Sequence, residues 1–103
     1  MRSWRKNIPK VKIEISKKAY NDIEEALEYY SQINLALPIK FLERIEEAKS
    51  KIMKSELGFE IKYKTVRTIL LKQFPYHLHY VLKNEKVIII AILHSHINPK
   101  SYL

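Results

Sequence analysis

Four histidines stand in two His-x-His pairs, His77 with His79 and His94 with His96. Residues two apart on a strand point the same way, so each pair would offer two imidazoles to one face, as a zinc or copper site requires. The pairs are staggered once their strands are set in register, however. No carboxylate of the kind that orients ligand imidazoles lies nearby in the sequence, and the chain has no cysteine. We expect no metal and no cofactor. The other polar chemistry is cationic. Lys62, Lys64 and Lys72 flank the segment that carries Arg67. Their ammonium groups suit nucleic-acid phosphates, or else serve as strand-edge charges that discourage edge pairing. The Arg67 guanidinium suits a phosphate or, equally, a surface carboxylate.

The 103 residues hold 19 Lys plus Arg against 11 Asp plus Glu, a net charge of +8. That charge is segregated. Residues 1–18 carry seven basic residues and one acid, and residues 61–103 again seven and one, whereas residues 19–47 carry two basic residues and seven acids. Such a division fits a footprint for a polyanion, or plain solubilising charge. With 47% hydrophobic residues the chain can build one core, and its length suits a single domain. The only glycine, Gly58, rules out glycine-rich phosphate loops, which need at least two. The longest apolar run, Val87 to Leu93, is too short to span a bilayer, so no membrane partner is expected.

Residues 1–10 are basic and aperiodic and read as a flexible leader; residues 11–103 read as the domain. Val11, Ile13 and Ile15 alternate with Lys12 and Glu14, predicting a short strand, and Ser16 sits at a helix N-cap position. From Lys17 to about Ile33 the residues Ala19, Ile23, Ala26, Tyr30 and Ile33, with Tyr20 and Leu27, form one helical face. A second helix is expected from Pro38 to about Lys54, burying Phe41, Leu42, Ile45, Ala48 and Ile52. After Gly58 the pattern is strand: residues 64–72, 76–83 and 86–95, with a turn at Asn84-Glu85.

A two-residue turn there sets residue 83 opposite 86, His77 opposite Ile92 and His79 opposite Ile90. Tyr76, Leu78, Tyr80, Leu82, Val87, Ile89, Ala91 and Leu93 then face the helices. The second face carries His77, His79, Val81, Ile88, Ile90, Ile92, His94 and His96, with no helix left to cover it. A contiguous apolar patch of that kind marks an interaction site. The fold class is α+β, in the order β-α-α-β-β-β, with a helical hairpin packed on one face of a mainly antiparallel sheet.

Particular stretches then resemble a known family. Val66-Arg67, Phe74-Pro75-Tyr76-His77-Leu78-His79-Tyr80 and Ala91-Ile92-Leu93-His94-Ser95-His96-Ile97-Asn98-Pro99 resemble the RelE/ParE superfamily of bacterial type II toxins. Ile15-Ser16, Ala19, Asp22-Ile23, Ala26, Tyr29-Tyr30 and Phe41-Leu42 match its first strand and helical hairpin, so the similarity runs from Val11 to Pro99. The resemblance implies the β-α-α-β-β-β fold, a cytoplasmic growth inhibitor and a cognate antitoxin that wraps and neutralises it. It implies one of two targets: DNA gyrase for ParE-like members, or messenger RNA on the ribosome for RelE-like ones.

What the resemblance implies for single residues depends on the target. A metal-independent ribonuclease needs cations for the phosphate and an acid–base pair. Arg67 stands where the family places an arginine, and His96 lies near a histidine that one RelE-like subgroup uses in catalysis; these two are the catalytic candidates. Many ParE-like relatives carry arginine where this chain has His96-Ile97. Lys62, Lys64, Lys72, His94 and Tyr102 are candidate contacts to the target or to nucleic acid. Ile88, Ile90 and Ile92 are candidate antitoxin contacts. The gyrase reading is slightly favoured. The alternatives are the ribosome-dependent endoribonuclease and an inactive toxin retained as an antitoxin-binding module. The expected assembly is a homodimer or a hetero-oligomer with the antitoxin.

Overall fold

A computed structural model describes residues 12–54, 61–63, 65–83 and 86–95, with residues 61–63 as backbone. The elements are β1 (Lys12–Ile15), α1 (Lys17–Ser31), α2 (Ala36–Lys54), β2 (Ile61–Tyr63), β3 (Val66–Leu70), β4 (Tyr76–Lys83) and β5 (Lys86–His94). They form one mixed sheet in the order β1-β5-β4-β3-β2, in which β1 runs parallel to β5 and the other pairs are antiparallel. The expected α+β arrangement is present, and β2 is a short strand beyond the four expected. The leader lies outside the described residues.

The helices form where capping and periodicity coincide. The Ser16 hydroxyl accepts the Ala19 N–H at 3.1 Å, satisfying one orphan donor of the first turn. The stripe Ala19, Ile23, Ala26 is buried, and Tyr30 packs against the same core. Helix α2 begins at Ala36 rather than Pro38, because Asn34 turns the chain: its Oδ1 accepts the Ala36 N–H at 2.8 Å and its carbonyl accepts the Leu37 N–H at 3.0 Å. Pro38 still falls within the first turn, where its missing N–H costs nothing. Phe41, Ile45, Ala48 and Ile52 form the buried stripe, and Leu42, one residue off it, stays 44% exposed. Tyr20 and Ile33 are likewise exposed, the latter because α1 ends at Ser31.

Both helices pack on one face of the sheet. Their stripes meet Ile69, Leu71, Phe74, Leu78, Tyr80, Val87, Ile89 and Ile92 in a single core. At one end of that core Tyr30, Phe41, Phe74 and Tyr76 form edge-to-face and tilted ring contacts with centroids 5.1 to 6.2 Å apart. The turn from β3 to β4 is held against α2. Arg44 donates from Nε (3.1 Å) and an Nη (2.8 Å) to Oε1 of Gln73, whose φ is 69°.

The β4–β5 register departs from expectation at one point. Lys83 pairs with Lys86 and the ladder follows the expected course to Tyr80–Ile89, but His79 then pairs with Ala91, His77 with Leu93 and Tyr76 with His94. Ile90 is the extra residue of a β-bulge. Past it, every side chain of β5 changes face. Ile92 lies in the helix-side core at 2% exposure and His94 sits beside Tyr76, whereas Ala91 and Leu93 leave the helix face. The placement of Ile92 and His94 on the second face is thereby corrected.

Helix α1 supplies the partners that the bulge leaves unpaired. The Ser16 N–H donates to the Ile89 carbonyl (2.9 Å) and its hydroxyl to the Ile90 carbonyl (3.3 Å). Asp22 Oδ2 accepts the Ile92 N–H at 2.9 Å. Lys18 Nζ holds both Asp22 carboxylate oxygens at 2.8 Å. The first turns of α1 are thus stitched to the bulged end of β5.

Candidate functional site

Two surfaces carry the chemistry: the second sheet face, and a cleft where α1 passes the end of β5. On the second face, strand alternation places Thr68, Leu70, His77, His79, Val81 and Ile88 together. Much of this face is closed. His79 is 4% exposed between its cross-strand neighbours Thr68 (9%) and Ala91 (0%), and Leu93 is also buried. Val81, Ile88 and Ile90 are half-buried, and Leu70 is 56% exposed. Ser95 Oγ lies 3.2 Å from His77 Nδ1. Glu14 and Lys86 form an exposed ion pair at 3.2 Å near the β1 end.

Among the described residues, Arg67, Lys72 and His94 do not gather in one place. Arg67 pairs with Tyr80, so its side chain leaves β3 on the helix side, half-buried, and its Nε is buried with no hydrogen-bond partner among the described residues. His94 lies two strands away and four residues along, about 16 Å between Cα atoms at ordinary sheet spacing. Lys72 is exposed in the turn after β3, and Lys62 belongs to β2. Lys64, His96 and Tyr102 lie outside the described residues. The His77–His79 pair is intact, with ring centroids 6.4 Å apart, but the bulge puts His94 on the opposite face. Among the described residues no three His, Asp or Glu side chains come together as metal ligands.

The cleft is about 300 Å³, lined by Lys18, Asp22, Glu25 and Tyr29 of α1, Tyr76 of β4, and the end of β5 through His94. The α1 residues fall at i, i+4, i+7 and i+11, a single stripe. Tyr76 and His94 meet edge-on at 5.4 Å. Burial, the neighbouring phenol of Tyr29, and the carboxylates of Glu25 and Asp22 push the Tyr76 phenol above its ordinary value, against an opposing hydrogen bond from Tyr30. Tyr30 is also raised, first by burial and then by Tyr76 and Tyr29. Both phenols are therefore neutral at physiological pH, hydrogen-bonding groups rather than bases. Of the polar groups in this lining, sequence reasoning singled out His94 alone as a site residue; the α1 residues face it only because the bulge turns the end of β5.

The model of the ParE toxin of the type II toxin-antitoxin system, parDE, matches residues 13–99. The chain belongs to the ParE toxin family. This toxin also shares its fold with a solved chain described as the chromosomal ParDE TA system from P. aeruginosa. The two align with a TM-score of 0.73 and 19% identity, over 82% of this chain and 96% of that one. No curated protein matches. Family membership makes the chain the toxin component of a toxin–antitoxin pair, with an antitoxin as its partner. No described helix of the toxin is long and apolar enough to cross a membrane.

Proposed function

We propose that this toxin stops growth in the cytoplasm by binding DNA gyrase, as a protein-binding inhibitor without catalysis of its own. The observation that supports this reading is the position of Arg67. The guanidinium on which RNA cleavage would depend leaves β3 on the helix side, half-buried with a buried Nε, which limits its access to a phosphate on the open sheet face. A ribonuclease must bring a cation and an acid–base group to one phosphate, within hydrogen-bond reach. For the antitoxin, we propose contact at Ile88 and Ile90, both half-buried; Ile92, enclosed in the core, is removed from that surface.

The ribosome-dependent endoribonuclease is the second reading, favoured by the basic ends of the chain, Arg67 and His96. Purified toxin is added to a gyrase supercoiling assay and, separately, to a translation extract scored for messenger cleavage. The Arg67→Ala His96→Ala variant serves as the control. Blocked supercoiling with intact messenger is the expected result. Site-specific cleavage that the double variant abolishes overturns it. Normal growth on induction of the isolated gene would instead identify an inactive antitoxin-binding module.

A further inference from the structure

We propose that the cleft between α1 and the end of β5 is a receptor for one arginine side chain of the antitoxin, with its guanidinium paired to Glu25 and set among Tyr29 and Tyr76. The charge ledger of the cleft selects a cation. Asp22 is occupied: its two oxygens hold Lys18 at 2.8 Å and Oδ2 also accepts the Ile92 N–H. Glu25 has no hydrogen bond or ion pair among the described residues, so beside the Lys18–Asp22 pair its carboxylate is the uncompensated charge of a lining completed by Tyr29, Tyr76, His94 and the apolar Ala26, Ile92 and Leu93. In a chain of net charge +8, this is a local reversal of sign.

Size and chemistry narrow the occupant. A volume of about 300 Å³ is the lower bound of small-ligand sites, enough for a single long side chain. Of the two basic side chains, arginine fits better, because a planar guanidinium bonds a carboxylate bidentately and is also attracted to aromatic rings, whereas an ammonium is a strongly hydrated point charge. The Glu25 carboxylate repels a phosphate and so favours a cationic protein side chain over nucleic acid. The antitoxin is the protein partner that family membership itself supplies, so the inference stands independently of the gyrase reading.

The test has two arms. Full-length toxin is titrated with N-acetyl-arginine amide and, in parallel, with its neutral isostere N-acetyl-citrulline amide, and backbone amide resonances are followed. Arginine-specific shifts at Glu25, Tyr29 and His94, absent in Glu25→Gln, are expected; equal responses to both probes, or none at the cleft, overturn the proposal. In the second arm, antitoxin affinity is measured by calorimetry. Glu25→Gln should weaken it about tenfold while the toxin's melting temperature is unchanged, since Glu25 is exposed. Unchanged antitoxin affinity overturns the proposal even where gyrase inhibition is lost. Gyrase inhibition failing in the parent toxin refutes only the target assignment.

Discussion

The seam between α1 and the bulged end of β5 gives the sharpest prediction. Asp22 has a side chain only 13% exposed, and Oδ2 accepts the Ile92 N–H at 2.9 Å. Asp22→Ala leaves that N–H without an acceptor in a core-facing strand, which costs about 1–3 kcal/mol, toward the upper part because the lost acceptor is charged. The Lys18 ion pair adds little, about 0.3–0.5 kcal/mol, since it is an i,i+4 helix pair with Lys18 36% exposed. The sum is about 2–3 kcal/mol, or a fall of about 10–20 °C in melting temperature for a domain of this size. Asp22→Asn keeps an oxygen for the amide and loses only the charge, so it should cost about 1 kcal/mol or less. Urea denaturation of the three proteins, with hydrogen exchange at the Ile92 amide, measures both quantities. Asp22→Ala within about 0.5 kcal/mol of the parent would refute the reasoning. So would Asp22→Asn costing as much as Asp22→Ala, because the amide acceptor would then not be what matters.

Three further outcomes follow from the same packing. Ile92→Ala should lose about 2–4 kcal/mol in urea denaturation, as a core truncation does, whereas Ile88→Ala, half-buried, should lose about 1 and chiefly weaken antitoxin binding. Tyr30 and Tyr76 hold their protons more tightly when folded than at the ordinary value of 10.0. Their contribution is therefore full below that pH and is lost as pH rises through the folded values; comparing urea midpoints at about pH 9 and about pH 11, Tyr30→Phe should fall less than the parent. At Gln73, with φ at 69°, glycine should be neutral within about 0.5 kcal/mol, because conformational relief of about 1 kcal/mol offsets the exposed Arg44 bonds. Gln73→Val, β-branched at a positive φ, should be less stable than Gln73→Gly by thermal melting.

The resemblance over Val11 to Pro99 is carried by residue types along the chain, and the family model matches residues 13–99. The positions of the helices were likewise local matters. Ser16 caps α1 because a hydroxyl at that point meets an orphan N–H, and the stripes Ala19–Ile23–Ala26 and Phe41–Ile45–Ala48–Ile52 are buried because 3.6-residue periodicity puts them on one side. The hairpin register near Lys83–Lys86 follows from the turn alone.

What depended on the tertiary structure is everything past Ile90. Alternation has period two, so one inserted residue reverses each later side chain, and nothing within β5 announces the insertion. The bulge persists because Ser16 and Asp22, some 70 residues earlier, satisfy the groups it frees (separations of 74 and 70 residues). That long-range seam buries Ile92, turns His94 away from His77 and His79, and opens the cleft beside Glu25. The sequence by itself determined the family, the helical stripes and the near end of the hairpin, through contacts a few residues apart. Only the folded chain decided which face the end of β5 presents, because the hydrogen bonds that choose between the two registers come from the other end of the molecule.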